Sequence, residues 1–183
     1  ALADRLILRD EGWAGPWIRG LKGERLMAKT LRKKRVVRQG WRILHSVPLP
    51  GGGDIDHLLI GPNGVVAINT KYHRKARMSV TPRAIYVRGA RTEYLDDARE
   101  MARRASEVLS PRVGFAVDVI PCVALSNGRS IWNPSLEVMG RPTDVLVGTN
   151  WNLPLVLWDA EQGLSREAVD AIYDVARKST TWQ

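Results

Sequence analysis

The sequence predicts an α/β fold in which a mixed central sheet is flanked by helices. Three observations predict it. Helix-like and strand-like segments alternate in the order α-β-β-β-(ββ)-α-β-β-β-α. Two apolar, partly β-branched segments are joined through Gly61-Pro62-Asn63-Gly64, a hairpin signal. A continuous apolar run over 117–125 has the character of a strand buried on both faces. The 183 residues are expected to form one domain, 1–183, long enough to bury a core.

The elements follow in order. Residues 1–16 are a weak lead-in broken by Gly12, Gly15 and Pro16. Residues 16–38 read as a helix, with Leu21, Ala28 and Leu31 on one face and Glu24 on that same face; Gln39-Gly40 ends it. Residues 41–47 alternate as a strand, and 48–53 form a loop with three consecutive glycines. Strands at 53–60 and 65–71 make the hairpin, and 77–80 with 84–88 make a shorter one. Residues 93–109 form a second helix, its apolar stripe being Leu95, Met101, Ala102, Ala105, Val108 and Leu109, stopped by Ser110-Pro111. After the 117–125 strand come a turn at 126–128, short strands at 136–139 and 144–147, a short helix at 154–158 and a terminal helix at 165–178 capped by Ser165.

Composition narrows the function. With 44% hydrophobic and 26% charged residues the chain is an ordinary globular one, and no apolar run approaches the roughly 20 residues of a membrane span. No secretory signal is expected in the first ten residues. Cys122 is the single cysteine, so no internal disulfide is possible; a cytoplasmic location fits, and Cys122 reads as a small core residue. The 28 Lys and Arg outnumber 19 Asp and Glu, a net charge of +9, which points to an anionic partner, nucleic acid above all. The basic residues cluster: one group runs from Arg19 to Arg38, and another comprises Lys71, Arg74, Lys75, Arg77, Arg83, Arg88 and Arg91. Lys22, Arg25, Lys29, Arg74, Lys75 and Arg77 are the expected nucleic-acid contacts.

The hairpin carries the candidate chemistry. If Gly61 faces Gly64, paired residues sum to 125, so Asp56 faces Asn69 and Asp54 faces Lys71. Alternation then puts all four on one face. Opposed Cβ atoms stand about 5 Å apart, close enough for two oxygen ligands to share a divalent ion. Asp56 is the strongest metal-ligand candidate, because an unpaired carboxylate among apolar neighbours is costly. The other reading is a salt bridge to Lys71, or a turn-capping role for Asp54; for Lys71 the other reading is an ion pair with Asp54. Glu24 would complete the metal shell or orient a bound water, or else pair with an arginine. Asn69 can ligate without adding charge, and Lys71 can stabilise charge developing on phosphorus. His57 points to the other face and reads as a satisfied core or interface histidine. No phosphate-binding P-loop, zinc-spaced histidine pair or serine nucleophile elbow is present.

These residues carry a resemblance. Gly20-Leu21-Lys22-Gly23-Glu24, then Asp54-Ile55-Asp56-His57, the Gly61-Pro62-Asn63-Gly64 turn and Ile68-Asn69-Thr70-Lys71 resemble the nuclease-related domain (NERD) family, a branch of the PD-(D/E)xK nucleases. The resemblance is strongest over 20–125. It implies a restriction-endonuclease-like fold and Mg²⁺- or Mn²⁺-dependent hydrolysis of nucleic acid, DNA rather than RNA. It also implies that Glu24, Asp56, Asn69 and Lys71 are the catalytic set, the first three being metal ligands. Asn69 departs from the family pattern, which has Glu or Asp there, and the glutamine of many relatives is missing from the second helix, where Asp97 and Arg99 lie. The alternative is a nucleic-acid-binding module with an impaired site. No oligomeric state is read from the chain.

Overall fold

The computed structural model describes residues 15–31, 40–73, 76–126, 136–138, 142–149, 152–153, 157 and 163–183. Helix α1 spans Gly15–Leu31, with Pro16 in the first turn, where a missing N–H costs nothing. Among its residues whose side chains are described, Gly23, Met27, Thr30 and Leu31 are buried. The expected stripe is therefore rotated: Leu21, Glu24 and Ala28 are half-buried and lie at its edge. Contact geometry sets the rotation. A Cβ on Gly23 would lie 2.8 Å from Tyr72 Cβ and 3.4 Å from Thr70 Cγ2, so only glycine lets the helix backbone rest on the sheet there.

Strands β1 (Arg42–Pro48), β2 (Asp54–Gly61) and β3 (Gly64–Tyr72) form an antiparallel meander. The hairpin register is the expected one from Gly61↔Gly64 to His57↔Ile68. Gly61 is obligatory, since any side chain would strike the Trp41 indole, 2.5 Å from an ideal Cβ. The small outer sheet comprises β4 (Met78–Val80), β5 (Ile85–Val87), β6 (Ala90–Thr92) and β8 (Leu136–Val138), in the order β6-β5-β4-β8.

Helix α2 spans Tyr94–Val113 and buries every residue of the expected stripe, plus Ala98. It does not stop at Ser110-Pro111. Pro111 sits in the last turn, where it forfeits one backbone bond, and the left-handed Gly114 supplies the stop by donating its N–H to Ser110 O. Strand β7 (Val119–Ser126) lies parallel between β3 and β9 (Leu146–Thr149), giving a mixed sheet in the order β1-β2-β3-β7-β9. Strand β9 begins two residues later than expected, and Asp144 before it is engaged by Arg99 at 2.7 and 3.1 Å. Helix α3 spans Arg166–Ala176, its first turn capped by Ser165 accepting from Ala168 N. Residues 127–128 of the expected turn, most of the expected helix at 154–158, the lead-in to residue 14 and residues 32–38 of the expected first helix lie outside the described residues.

Both faces of the main sheet are covered. Met27 and Leu31 of α1 pack with Leu59, Val66 and Ile68 on one face. Met101, Ala105 and Leu109 of α2 and Ile172 of α3 pack with Leu58, Ile60, Val65 and Ala67 on the other. Cys122 is fully buried within the sheet. Among the described residues no helix is long and apolar enough to cross a membrane.

Candidate functional site

The alternation of β1 and β2 breaks at one place. Leu59 belongs to the core under α1, yet Ile55, four residues earlier, belongs to the core under α2 and α3. The same switch separates Ile43 from Val47 on β1. Ser46, with φ of 50°, lies at the break, between the pairs His45↔His57 and Val47↔Ile55. Asp56 is the β2 residue at the break. The regular pairing that would set Asp56 opposite Asn69 and Asp54 opposite Lys71 ends one step short, at His57↔Ile68. In its place the Asp56 carboxylate accepts the main-chain N–H of Thr70 at 2.5 Å, bridging the strands where the ladder opens.

Asp56 is half-buried, and its electrostatics are crowded. Burial pushes its pKa up to about 6; Glu24 and Asp54 add to the rise, while the Thr70 amide and Lys71 oppose it. Glu24 is also raised, by burial and then by Asp54. Three carboxylates from α1 and β2 thus feel one another through space. Among the described residues, however, no three His, Cys, Asp or Glu side chains are drawn together closely enough to hold an ion by themselves.

Asn69 and Lys71 face α2. An open cleft of about 450 Å³ is lined by Asp54, Asn69, Asp96, Asp97, Glu100 and Arg104 among others. Arg104 donates to the carbonyls of Pro50 and Gly52, holding the loop in which Gly51, Gly52 and Gly53 all have positive φ, just before Asp54. The Lys71 ammonium lies 4.0 Å from the Asp97 carboxylate and 4.9 Å from the Tyr94 ring centroid. The Tyr94 hydroxyl is 2.8 Å from His73 Nε2. The expected alternative pair, Asp54 with Lys71, is not formed; Lys71 takes Asp97 instead.

His57 is buried, as expected, but only half satisfied. Its Nδ1 is 2.7 Å from His45 Nδ1, so one ring donates to the other. No hydrogen bond of good geometry reaches its buried Nε2. Burial pushes its pKa down to about 3, with His45 adding to the fall and the Glu24 main chain opposing it.

Of the expected nucleic-acid contacts, Arg25, Lys29 and Arg77 are exposed. Lys22 lies on α1 with its side chain outside the described set, and Arg74 and Lys75 lie outside it altogether. The sequence reading missed the Tyr94–Asp97 contacts to Lys71. Their signal was available: two acidic residues in the first turn of a helix that follows directly on the second hairpin.

The sequence model of the nuclease-related domain matches residues 19–126. That span contains Glu24, the hairpin, the small hairpin, α2 and β7. The chain belongs to the nuclease-related domain family. No curated protein and no solved structure matches the chain. A nuclease-related domain implies a nuclease-related function with nucleic acid as the interacting partner, and the mixed five-stranded sheet flanked by helices is consistent with a nuclease-like fold.

Proposed function

We propose that this nuclease-related domain hydrolyses phosphodiester bonds of DNA with Mg²⁺ or Mn²⁺, and that Glu24, Asp56, Asn69 and Lys71 carry the reaction. The observation that supports this most is the crowding around Asp56. A half-buried carboxylate raised to about 6 by burial, Glu24 and Asp54 is a set of hard oxygen donors short of positive charge. Asp56, Glu24 and Asn69 would hold the ion, since oxygen donors of this kind are the ligands such ions take. When bound, such an ion activates water and neutralises charge on the scissile phosphate.

The chain's own residues supply the remainder. The Thr70 amide fixes one oxygen of Asp56 and leaves the other free to ligate. Lys71, 4.0 Å from the cleft residue Asp97, offers a positive charge to the phosphate oxygens as charge develops on them. Two residues before Lys71, Asn69 supplies an oxygen without a charge.

Asn69 also favours a second reading, a domain that binds DNA but turns it over poorly. The test is incubation of the purified protein with linear, nicked and supercoiled DNA in Mg²⁺, Mn²⁺ or chelator. Metal-dependent cleavage supports the hydrolase. Salt-sensitive binding without cleavage in either metal supports the binding module.

A further inference from the structure

The positive charge of the described surface is unevenly neutralised. Arg99 pairs with Asp96 and Asp144, Arg103 with Glu100 and Glu107, Arg42 with Asp170 and Arg177 with Asp174. Arg83, Arg88 and Arg91 are exposed, and among the described residues no carboxylate pairs with any of them. Arg91 lies on β6 of the small outer sheet, and Arg83 and Arg88 lie in the connections that join β4 to β5 and β5 to β6. The inner face of that sheet, with Met78, Val80 and Ile85, is packed on α2 and β7. Cross-strand pairing sets Ser79, Tyr86 and Arg91 in one row across β4, β5 and β6, and alternation places that row on the outer face.

Arg88 stands out within this sheet. Arg88 and Gly89 join β5 to β6 as a two-residue turn, with φ of 54° and 84°. Such a turn is ordinarily built from Asn, Asp or Gly, because both central residues are left-handed. An arginine there is unfavourable for the backbone, and residues in such conformations cluster at functional sites. Arg83 and Arg88 flank the two ends of β5, whose three residues Ile85–Val87 alone rise about 10 Å, about that of three nucleotides of one DNA strand. Strand β6 also runs directly into α2, whose Tyr94 and Asp97 contact Lys71.

We infer that the outer face of the β4–β6 sheet and its connecting turns, through Arg91, Arg83 and Arg88, seat the phosphate backbone of the DNA strand that leads to Lys71. The inference rests on reading the domain as one that acts on nucleic acid. Phosphate contacts of this kind position the strand and carry no sequence preference. Each releases bound counterions, so each contributes about one unit to the slope of log affinity against log salt.

The experiment is fluorescence anisotropy of a labelled DNA duplex in chelator, across a salt series. It compares the wild type, the variant Arg83→Gln/Arg88→Asn/Arg91→Gln, and the charge-matched control Arg112→Gln/Arg166→Gln/Lys178→Gln. Asn tolerates the left-handed turn position, and Arg112 lies at the other end of α2, about 27 Å along the helix from Tyr94. The expected result is roughly tenfold weaker binding or more for the first variant, with the salt slope lower by about two to three. The control should change binding by less than about threefold. Should the triple variant fail to fold, Arg91→Gln alone should lower the slope by about one. Equal loss in both triples would mean that binding follows net charge, and wild-type affinity in the first would remove the surface; either overturns the inference. A wild type that binds normally but never cleaves would sink the hydrolase reading and leave this comparison intact.

Discussion

The Asp56 carboxylate accepts the main-chain N–H of Thr70 at 2.5 Å, in the place where the β2–β3 ladder would otherwise continue. One side chain therefore closes the sheet and sits among Glu24, Asp54 and Lys71.

The first consequence concerns pH. With a pKa of about 6 when folded and 3.8 otherwise, Asp56 holds its proton more tightly in the folded protein. It favours folding below that window, and the contribution is lost as pH rises through it. His57, at about 3 when folded and 6.5 otherwise, works in the opposite sense, its contribution being lost as pH falls below 6.5. Between about pH 6 and 4 the two slopes, each about 1.4 kcal/mol per unit, oppose one another. Asp56→Asn should therefore gain about 3 kcal/mol at pH 8 in chelator, and should lose that advantage by pH 4. Urea unfolding across this range checks it; curves that stay parallel to the wild type would contradict it.

Gly23→Ala tests the seat of α1. Helix propensity alone would make alanine stabilising by about 1 kcal/mol. The 2.8 Å approach to Tyr72 Cβ makes the new methyl overpacked, at about 1–3 kcal/mol, so packing should win. A lower melting temperature is expected, together with weaker cleavage as Glu24 shifts from Asp56. A higher melting temperature would show that α1 can adjust without cost.

Asp97→Asn tests the hold on Lys71. An exposed pair at 4.0 Å adds little to stability, under about 1 kcal/mol, so melting should barely move. The turnover number should fall several-fold, and in a Lys71→Met background Asp97→Asn should have no further effect. Additive losses in the double variant would mean that Asp97 acts elsewhere.

Asn69→Asp adds a charge to the proposed ligand set. Calorimetry should show Mn²⁺ binding tighter by about tenfold, with a matching gain in cleavage at low metal concentration. Unchanged affinity would place Asn69 outside the metal shell.

Much of this was legible in the sequence because local signals agreed with the fold. The hairpin register followed from two glycines around Pro62-Asn63, and the α2 stripe from its periodicity. The rotation of α1 was not legible, because Gly23 carries no apolar signal and its role depends on Tyr72, distant in the chain. Nor was the side-chain-to-backbone bond of Asp56. Extrapolating the ladder assumed regular alternation, and the break at Ser46 depends on a backbone angle that a serine codon does not announce. Strand β6 was missed because a three-residue edge strand has too few residues to show a period, although Arg88-Gly89 marked its turn. The Lys71–Asp97 contact joins residues 26 apart in the chain and needed the packing of α2 on the sheet.

The most direct measurement is DNA cleavage by Asp56→Ala beside the wild type in Mn²⁺, with folding and DNA binding measured on the same preparations. The account predicts that cleavage falls by at least about a hundredfold, a loss of about 2.7 kcal/mol or more in transition-state stabilisation, while binding stays within about threefold. Cleavage persisting at the wild-type rate in a clean, folded Asp56→Ala preparation would contradict it.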